Sequence, residues 1–252
     1  MTLPIALQTY TVRDLLEDDF EGVMRRVAGI GYAGVETTFT IPGTTLANAA
    51  ATLRDLGLEV VSAHVPLPLG DDKNAVLDYV ATFGLDHIVA MKGPEDFESS
   101  DTIRRVCDLF NEAQAVCAAN GLELSYHNHW WEFLDIEGRN AFDIFLECLS
   151  PAVNIELDTY WVQAAGIDPE SIVRQLGDRA PLLHIKDGPA KRDVPQLAVG
   201  DGVLDWAGII GAADEAQWLI IELDHCATDM LTAVEKSFDY LVAKGLGHGS
   251  KA

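Results

Sequence analysis

The chain has 252 residues, 48% hydrophobic and 23% charged, a composition that excludes disordered, collagen-like and low-complexity architectures and leaves enough chain for a full core. Lys plus Arg number 17 against 40 for Asp plus Glu, a formal charge of −23. That field opposes nucleic acid or an anionic membrane as a partner and suits a site that collects a cation. Cys107, Cys117, Cys148 and Cys226 form no C-x-x-C pair, and no stretch has the length of a membrane span or the pattern of a leader. The expectation is a reduced, cytoplasmic, single-domain protein over residues 1–252, with a frayed tail from about 245.

Taken in chain order, eight short apolar runs read as strands: 4–9, 34–38, 58–64, 87–92, 122–126, 153–158, 181–186 and 218–223. Most are continuous rather than alternating, the mark of strands covered on both faces. Helical spacing fills the intervals. Phe20, Val23, Met24, Val27 and Ile30 form one stripe, closed by Gly31, and Leu46, Ala49, Ala50, Leu53 and Leu56 form the next, closed by Gly57. Further helices are expected at 71–83, from an Asp101 N-cap to Asn120-Gly121, and at 141–149, 169–176, 205–213 and 229–243. Eight strand–helix units predict a (β/α)8 barrel. An open doubly wound sheet would more usually carry a glycine-rich turn after its first strand, where this chain has Gln8-Thr9-Tyr10-Thr11-Val12-Arg13.

In a barrel the chemistry sits at the C-terminal ends of the strands. Those ends carry Glu36, His64, His127, His129, Glu132, Asp158, His184 and Glu222, with Asp224 and His225 beyond. Glu132, Asp158, His184 and Glu222 fall on successive strands. Three carboxylates and one imidazole make a hard site suited to Mn²⁺, Mg²⁺ or Co²⁺, with Zn²⁺ possible; ion pairing of the carboxylates with Lys186 or Arg192 is the alternative. His127 and His129 share one face of an extended segment. Trp130, Trp131 and Trp161 are candidate stacking platforms for a sugar ring, or packing residues, and His64 lines the pocket or caps the core. His87, at the bottom of strand four, is expected to serve stability.

Several motifs together carry a resemblance: LQTYTVRD at 7–14, GYAGVE at 31–36, YHNHWWEF at 126–133, LDTYWVQAAGIDP at 157–169, HIKDG at 184–188, GDGVLDW at 200–206 and IIELD at 220–224. In order and spacing the chain resembles the sugar phosphate isomerase/epimerase family of xylose isomerase-like TIM barrels, which includes inosose dehydratases and ketose 3-epimerases. The resemblance implies a Glu132, Asp158, His184 and Glu222 metal site, Mn²⁺ first among the ions, with Glu132 and Glu222 moving protons and His127 and His129 in reserve. Gln8, Tyr10, His64, Trp130, Trp161, Lys186 and Arg192 are the candidate substrate-binding residues. Because Asp187, Asp193, Asp201, Asp224 and Asp229 crowd Lys191 and Arg192 in the loops after strands seven and eight, the expected substrate is a neutral sugar or keto-sugar rather than a phosphate. Isomerisation or epimerisation through an enediolate is the expected reaction, with dehydration or lyase chemistry on an inosose or 3-keto-glycoside as the alternative. An abasic-site endonuclease and a non-catalytic sugar-binding protein are the rivals, and self-association into a homo-oligomer is left open.

Overall fold

The computed structural model describes residues 2–250. Its strands are β1 (Leu3–Gln8), β2 (Gly34–Thr38), β3 (Glu59–His64), β4 (His87–Ala90), β5 (Glu123–His127), the short β6 (Asp135–Ile136) and β7 (Arg139–Asn140), β8 (Asn154–Asp158), β9 (Leu182–Ile185), β10 (Trp218–Ile221) and β11 (Gly247–His248). All but β6, β7 and β11 form a parallel barrel closed by β10 against β1, Ile5 facing Leu219 and Leu7 facing Ile221. The eight expected strands are thus the eight staves. β6 and β7 make a small antiparallel hairpin beyond β5.

The helices α1 (Arg13–Ile30), α2 (Leu46–Asp55), α3 (Asp72–Phe83), α4 (Ser100–Ala119), α5 (Ala141–Cys148), α6 (Thr159–Ala164), α7 (Pro169–Leu176), α8 (Trp206–Gly211) and α9 (Met230–Ala243) fill the connections. α4 starts earlier than the Asp101 cap expected from sequence. Ser99 is the cap: its hydroxyl accepts from the Thr102 amide, and Thr102 Oγ1 accepts from the Ser99 amide. Gly31 closes α1 in the left-handed region (φ 117°), as its position predicts. The connection after β8 holds two helices rather than one, because the Asp158 carboxylate itself caps α6.

Most of the core lies between barrel and helices, where Tyr126 packs against Phe97, Phe110 and Phe145. The lower lumen holds Ala6, Val61, Val89, Leu182 and Ile220. In the tail expected from about 245, β11 pairs with the start of β1, and the Ser250 amide donates to the Gly31 carbonyl. The last two residues of that tail lie outside the described residues. His87 is buried at the lower end, its Nε2 2.7 Å from Ser125 Oγ. Cys107, Cys117, Cys148 and Cys226 are free thiols. Among the described residues no helix is long and apolar enough to cross a membrane.

Candidate active site

Alternation along each stave decides which side chains enter the lumen. On β8, Ile155 and Leu157 join the core outside the barrel while Glu156 and Asp158 point in. On β3 the register slips: Val35 faces Val60 but Glu36 faces Ser62, so Val61 is an extra residue and Ser62 and His64 turn toward Glu36. The upper lumen, usually filled by branched apolar residues, is instead packed with Gln8, Glu36, Ser62, His127, Glu156, Asp158, His184 and Lys186, all buried.

Their hydrogen bonds form a chain of forced choices. The Tyr10 amide donates to Gln8 Oε1 (3.0 Å), so the Gln8 amide nitrogen faces Glu36 Oε1 (2.7 Å). Ser62 donates to Glu36 Oε2 (2.6 Å), which leaves Glu36 a pure acceptor. His184 Nε2 lies 2.7 Å from Glu36 Oε1, and its Nδ1 lies 2.8 Å from Glu222 Oε2. His64 Nε2 reaches Glu156 Oε2 at 2.7 Å. Lys186, fully buried, holds Asp158 Oδ2 (2.9 Å), Glu222 Oε2 (2.7 Å) and Asp224 Oδ2 (2.9 Å).

Burial opposes each of these charges, and neighbours decide the outcome. Desolvation works against the His64 cation, yet Glu36 and Glu156 push it up to about 10. His184 is likewise held well above its usual value by Glu156, Glu222 and Glu36. Glu222 would rise on burial, but Lys186 and His184 hold it well below the usual carboxylate range. Burial prevails at Asp158, which is raised despite Lys186 and His184. Burial and the neighbouring His184 and His64 cations keep His127 neutral.

His127, Asp158, His184 and Glu222 bring one ligand atom each to within 4.8 Å of one another, and so do His64, His127, Glu156 and His184. Of the set expected from sequence, Asp158, His184 and Glu222 come together and Glu132 stands apart. Glu132 rides on a short 3-10 turn (Trp131–Phe133) beyond β5. It accepts from Tyr126 Oη (2.6 Å) and the His129 amide (2.9 Å) in the layer outside the barrel, and burial raises it to about 8. The fourth member of that cluster is His127, the last residue of β5.

The first set fits a divalent cation. Asp158 Oδ2 and His127 Nδ1 are buried without a hydrogen bond: each has a charged neighbour at 2.9 Å, Lys186 and Glu156 respectively, but misaligned. Two imidazoles and two carboxylates suit Mn²⁺, Co²⁺ and Zn²⁺.

Above the floor opens a cavity of about 610 Å³ whose lining includes Tyr10, His64, His127, His129, Glu222 and Asp224. His129 stacks on Trp131 (4.2 Å between centroids), and burial lowers it to about 3. Gln8 lies beneath the floor as the partner of Glu36 rather than in the cavity. Arg192 lies 3.7 Å over the Trp130 ring. Together with Trp161 it lines a neighbouring cavity of about 420 Å³ that shares Asp224.

Sequence reasoning passes over Glu156 and Ser62, and gives Asp187 only as negative charge in the loop after strand seven. Glu156 was signalled by parity, two residues before Asp158; nothing local to the sequence signals the slip that turns Ser62 inward. Asp187 is buried and gathers the loop after β9. Its carboxylate accepts from the amides of Gly188 (2.8 Å), Gly200 (2.9 Å) and Leu204 (3.4 Å) and from Trp206 Nε1 (2.8 Å).

A sugar phosphate isomerase/epimerase from Parabacteroides distasonis ATCC 8503 superimposes with a TM-score of 0.83 at 24% identity, covering 98% of this chain and 96% of that one. The probable 3-DHS dehydratase of petrobactin synthesis from Bacillus anthracis gives 0.75 at 16% identity, covering 95% and 99%. An L-ribulose 3-epimerase gives 0.73 at 15%, covering 97% and 95%. These likenesses establish the fold. No curated protein matches the sequence. The profile of the xylose isomerase-like TIM barrels matches residues 24–243, nearly the whole barrel, and the chain belongs to that family.

Proposed function

We propose that the protein is a metal-dependent isomerase or epimerase of a neutral sugar or keto-sugar. One observation carries the reading: a barrel lumen in which Glu36, Glu156, Asp158, Glu222 and Asp224 outnumber the cations His64, His184 and Lys186, beneath a cavity of substrate size. His127, Asp158, His184 and Glu222 would hold the ion, with Mn²⁺ the first candidate. When bound it supplies positive charge beside the carbonyl and hydroxyl oxygens of the substrate.

The chain's own groups divide the remaining work. Glu222 lines the cavity as an ionised carboxylate, the state required to take a proton from the carbon next to a carbonyl. His64, a cation whose Nε2 is engaged with Glu156 and Glu36, presents positive charge to the same cavity and is placed to return a proton. His129 adds a neutral, apolar-backed edge. Return of the proton to the opposite face gives an epimer, and return to the neighbouring carbon gives an isomer. The outward turn of Glu132 favours a second reading. With Glu222 the sole glutamate of the expected pair on the cavity, one-base chemistry, including loss of a β-substituent by a lyase or dehydratase, uses the same groups.

A neutral substrate is favoured by Asp187. Phosphate in such barrels often rests on amides of the loops after the last two staves. Here the amides of Gly200 and Leu204 are already spent on the protein's own carboxylate. The test is a panel of free and phosphorylated keto-sugars in D₂O with Mn²⁺, read by NMR. Deuterium entering a free sugar next to its carbonyl supports the reading; no exchange in any of them, or a tenfold preference for phosphorylated members, refutes it.

A further inference from the structure

The cavity has two unlike walls. β5 and β10 with the loops beyond them supply His127, His129, Glu222 and Asp224, all polar. The facing wall, from the end of β2 and the loops after β1, β2 and β4, carries Tyr10, Phe39, Pro42 and Met91, with Thr38 and Thr40 beside Phe39. Met91 continues the inward parity of His87 and Val89, yet it is 48% exposed, and Tyr10 is 42% exposed. Apolar side chains left open at the mouth of a cavity await an apolar surface that the described residues do not supply. The cavity, at about 610 Å³, is also roomier than one sugar ring needs.

Charge narrows what the extra room accepts. Asp14 and Glu17 edge the apolar wall and repel an anionic substituent. Arg13, the cation of that edge, stacks on Tyr10 (3.9 Å) and donates to the carbonyls of Tyr10 and Asp224, so its guanidinium is already engaged. An unbranched thioether adapts its shape and makes favourable contact with aromatic edges.

Resting on the sugar-enzyme reading above, we propose that the substrate is a keto-sugar carrying an uncharged aromatic substituent, an aryl keto-glycoside, of which simple aryl glycosides are binding probes. The sugar lies against His129 and Glu222, and the aromatic ring against Met91 and Phe39.

The probes are methyl and phenyl β-D-glucopyranosides and galactopyranosides, titrated calorimetrically into the full chain with Mn²⁺ and again with EDTA. Burial of the ring against Met91 predicts that a phenyl glycoside binds about tenfold or more tightly than its methyl counterpart. Met91→Ser is expected to bring that ratio to about one, while Val242→Ser, an exposed position on α9 away from both cavities, leaves it. Equal binding of phenyl and methyl probes, no binding of the phenyl probes, or a ratio that survives Met91→Ser overturns the proposal. The deuterium-exchange panel fails separately. A Met91-dependent phenyl preference with no exchange keeps this inference and removes the isomerase reading; exchange without the preference does the reverse.

Discussion

Lys186→Met puts the electrostatics of the floor to the test. The ammonium sits within 2.9 Å of three carboxylates, Asp158, Glu222 and Asp224, and is fully buried. Methionine keeps most of the volume and removes the charge, so the carboxylates lose their shared counter-ion. Breaking a buried pair by deleting one partner costs about 3–5 kcal/mol. For a chain of this length each kcal/mol moves Tm by roughly 2–4 °C, so the metal-free variant should melt roughly 6–20 °C below the metal-free wild type. The same vacated charge makes room for a divalent ion. At a hundredfold excess over Kd, ion binding returns about 2.7 kcal/mol, and the variant should gain more from Mn²⁺ than the wild type, where the ion must share its carboxylates with the ammonium. Calorimetric melts in EDTA and in Mn²⁺ measure both quantities. A metal-free variant melting with the wild type, or equal gains from Mn²⁺, refutes the account of Lys186 as the cation that holds the floor together.

Glu222→Gln keeps an oxygen ligand and loses the base, so bound metal should partly survive while turnover falls by at least about 10²-fold; a near-normal rate with metal bound would remove Glu222 from the chemistry. Glu132 is raised by burial to about 8 from an ordinary 4.5, so between those values the folded state holds a proton the unfolded chain has lost. Stability therefore falls as pH rises through that window, and Glu132→Gln should flatten this part of the urea-midpoint profile, an unchanged slope counting against the buried acid. Asp187→Ala strands the donors of Gly188, Gly200, Leu204 and Trp206, at about 1–3 kcal/mol for each that finds no water. Inorganic phosphate should then raise the melting temperature of the variant and leave the wild type where it is; equal stabilisation of both would mean that the loop already holds an anion.

The barrel was legible because its staves are continuous apolar runs and its helices carry regular stripes, two periods that survive any tertiary context. What escaped was short or depended on distant partners. β6 and β7 are two residues each, and α6 is six residues begun by a cap from Asp158. Asp158, His184 and Glu222 could be placed from strand ends, since parity points them inward. Glu132 lies past the end of β5 on a 3-10 turn, where parity no longer tells direction, and Tyr126 with the His129 amide draws it outward. The same parity followed one residue at a time along β5 and β8 selects His127 and Glu156.

The pairing of Gly247–His248 alongside Leu3–Pro4 makes the barrel a ring whose seam is sewn at one end. Thr2 Oγ1 lies 3.3 Å from His248 Nδ1, so the two ends of the described chain meet. They meet at the starts of the staves, while the cavity opens where the staves finish. A cross-link across this seam, between the Leu3–Pro4 and Gly247–His248 segments, would shrink the unfolded ensemble without reaching the mouth. Stabilisation applied at the seam is therefore compatible with full access to the cavity.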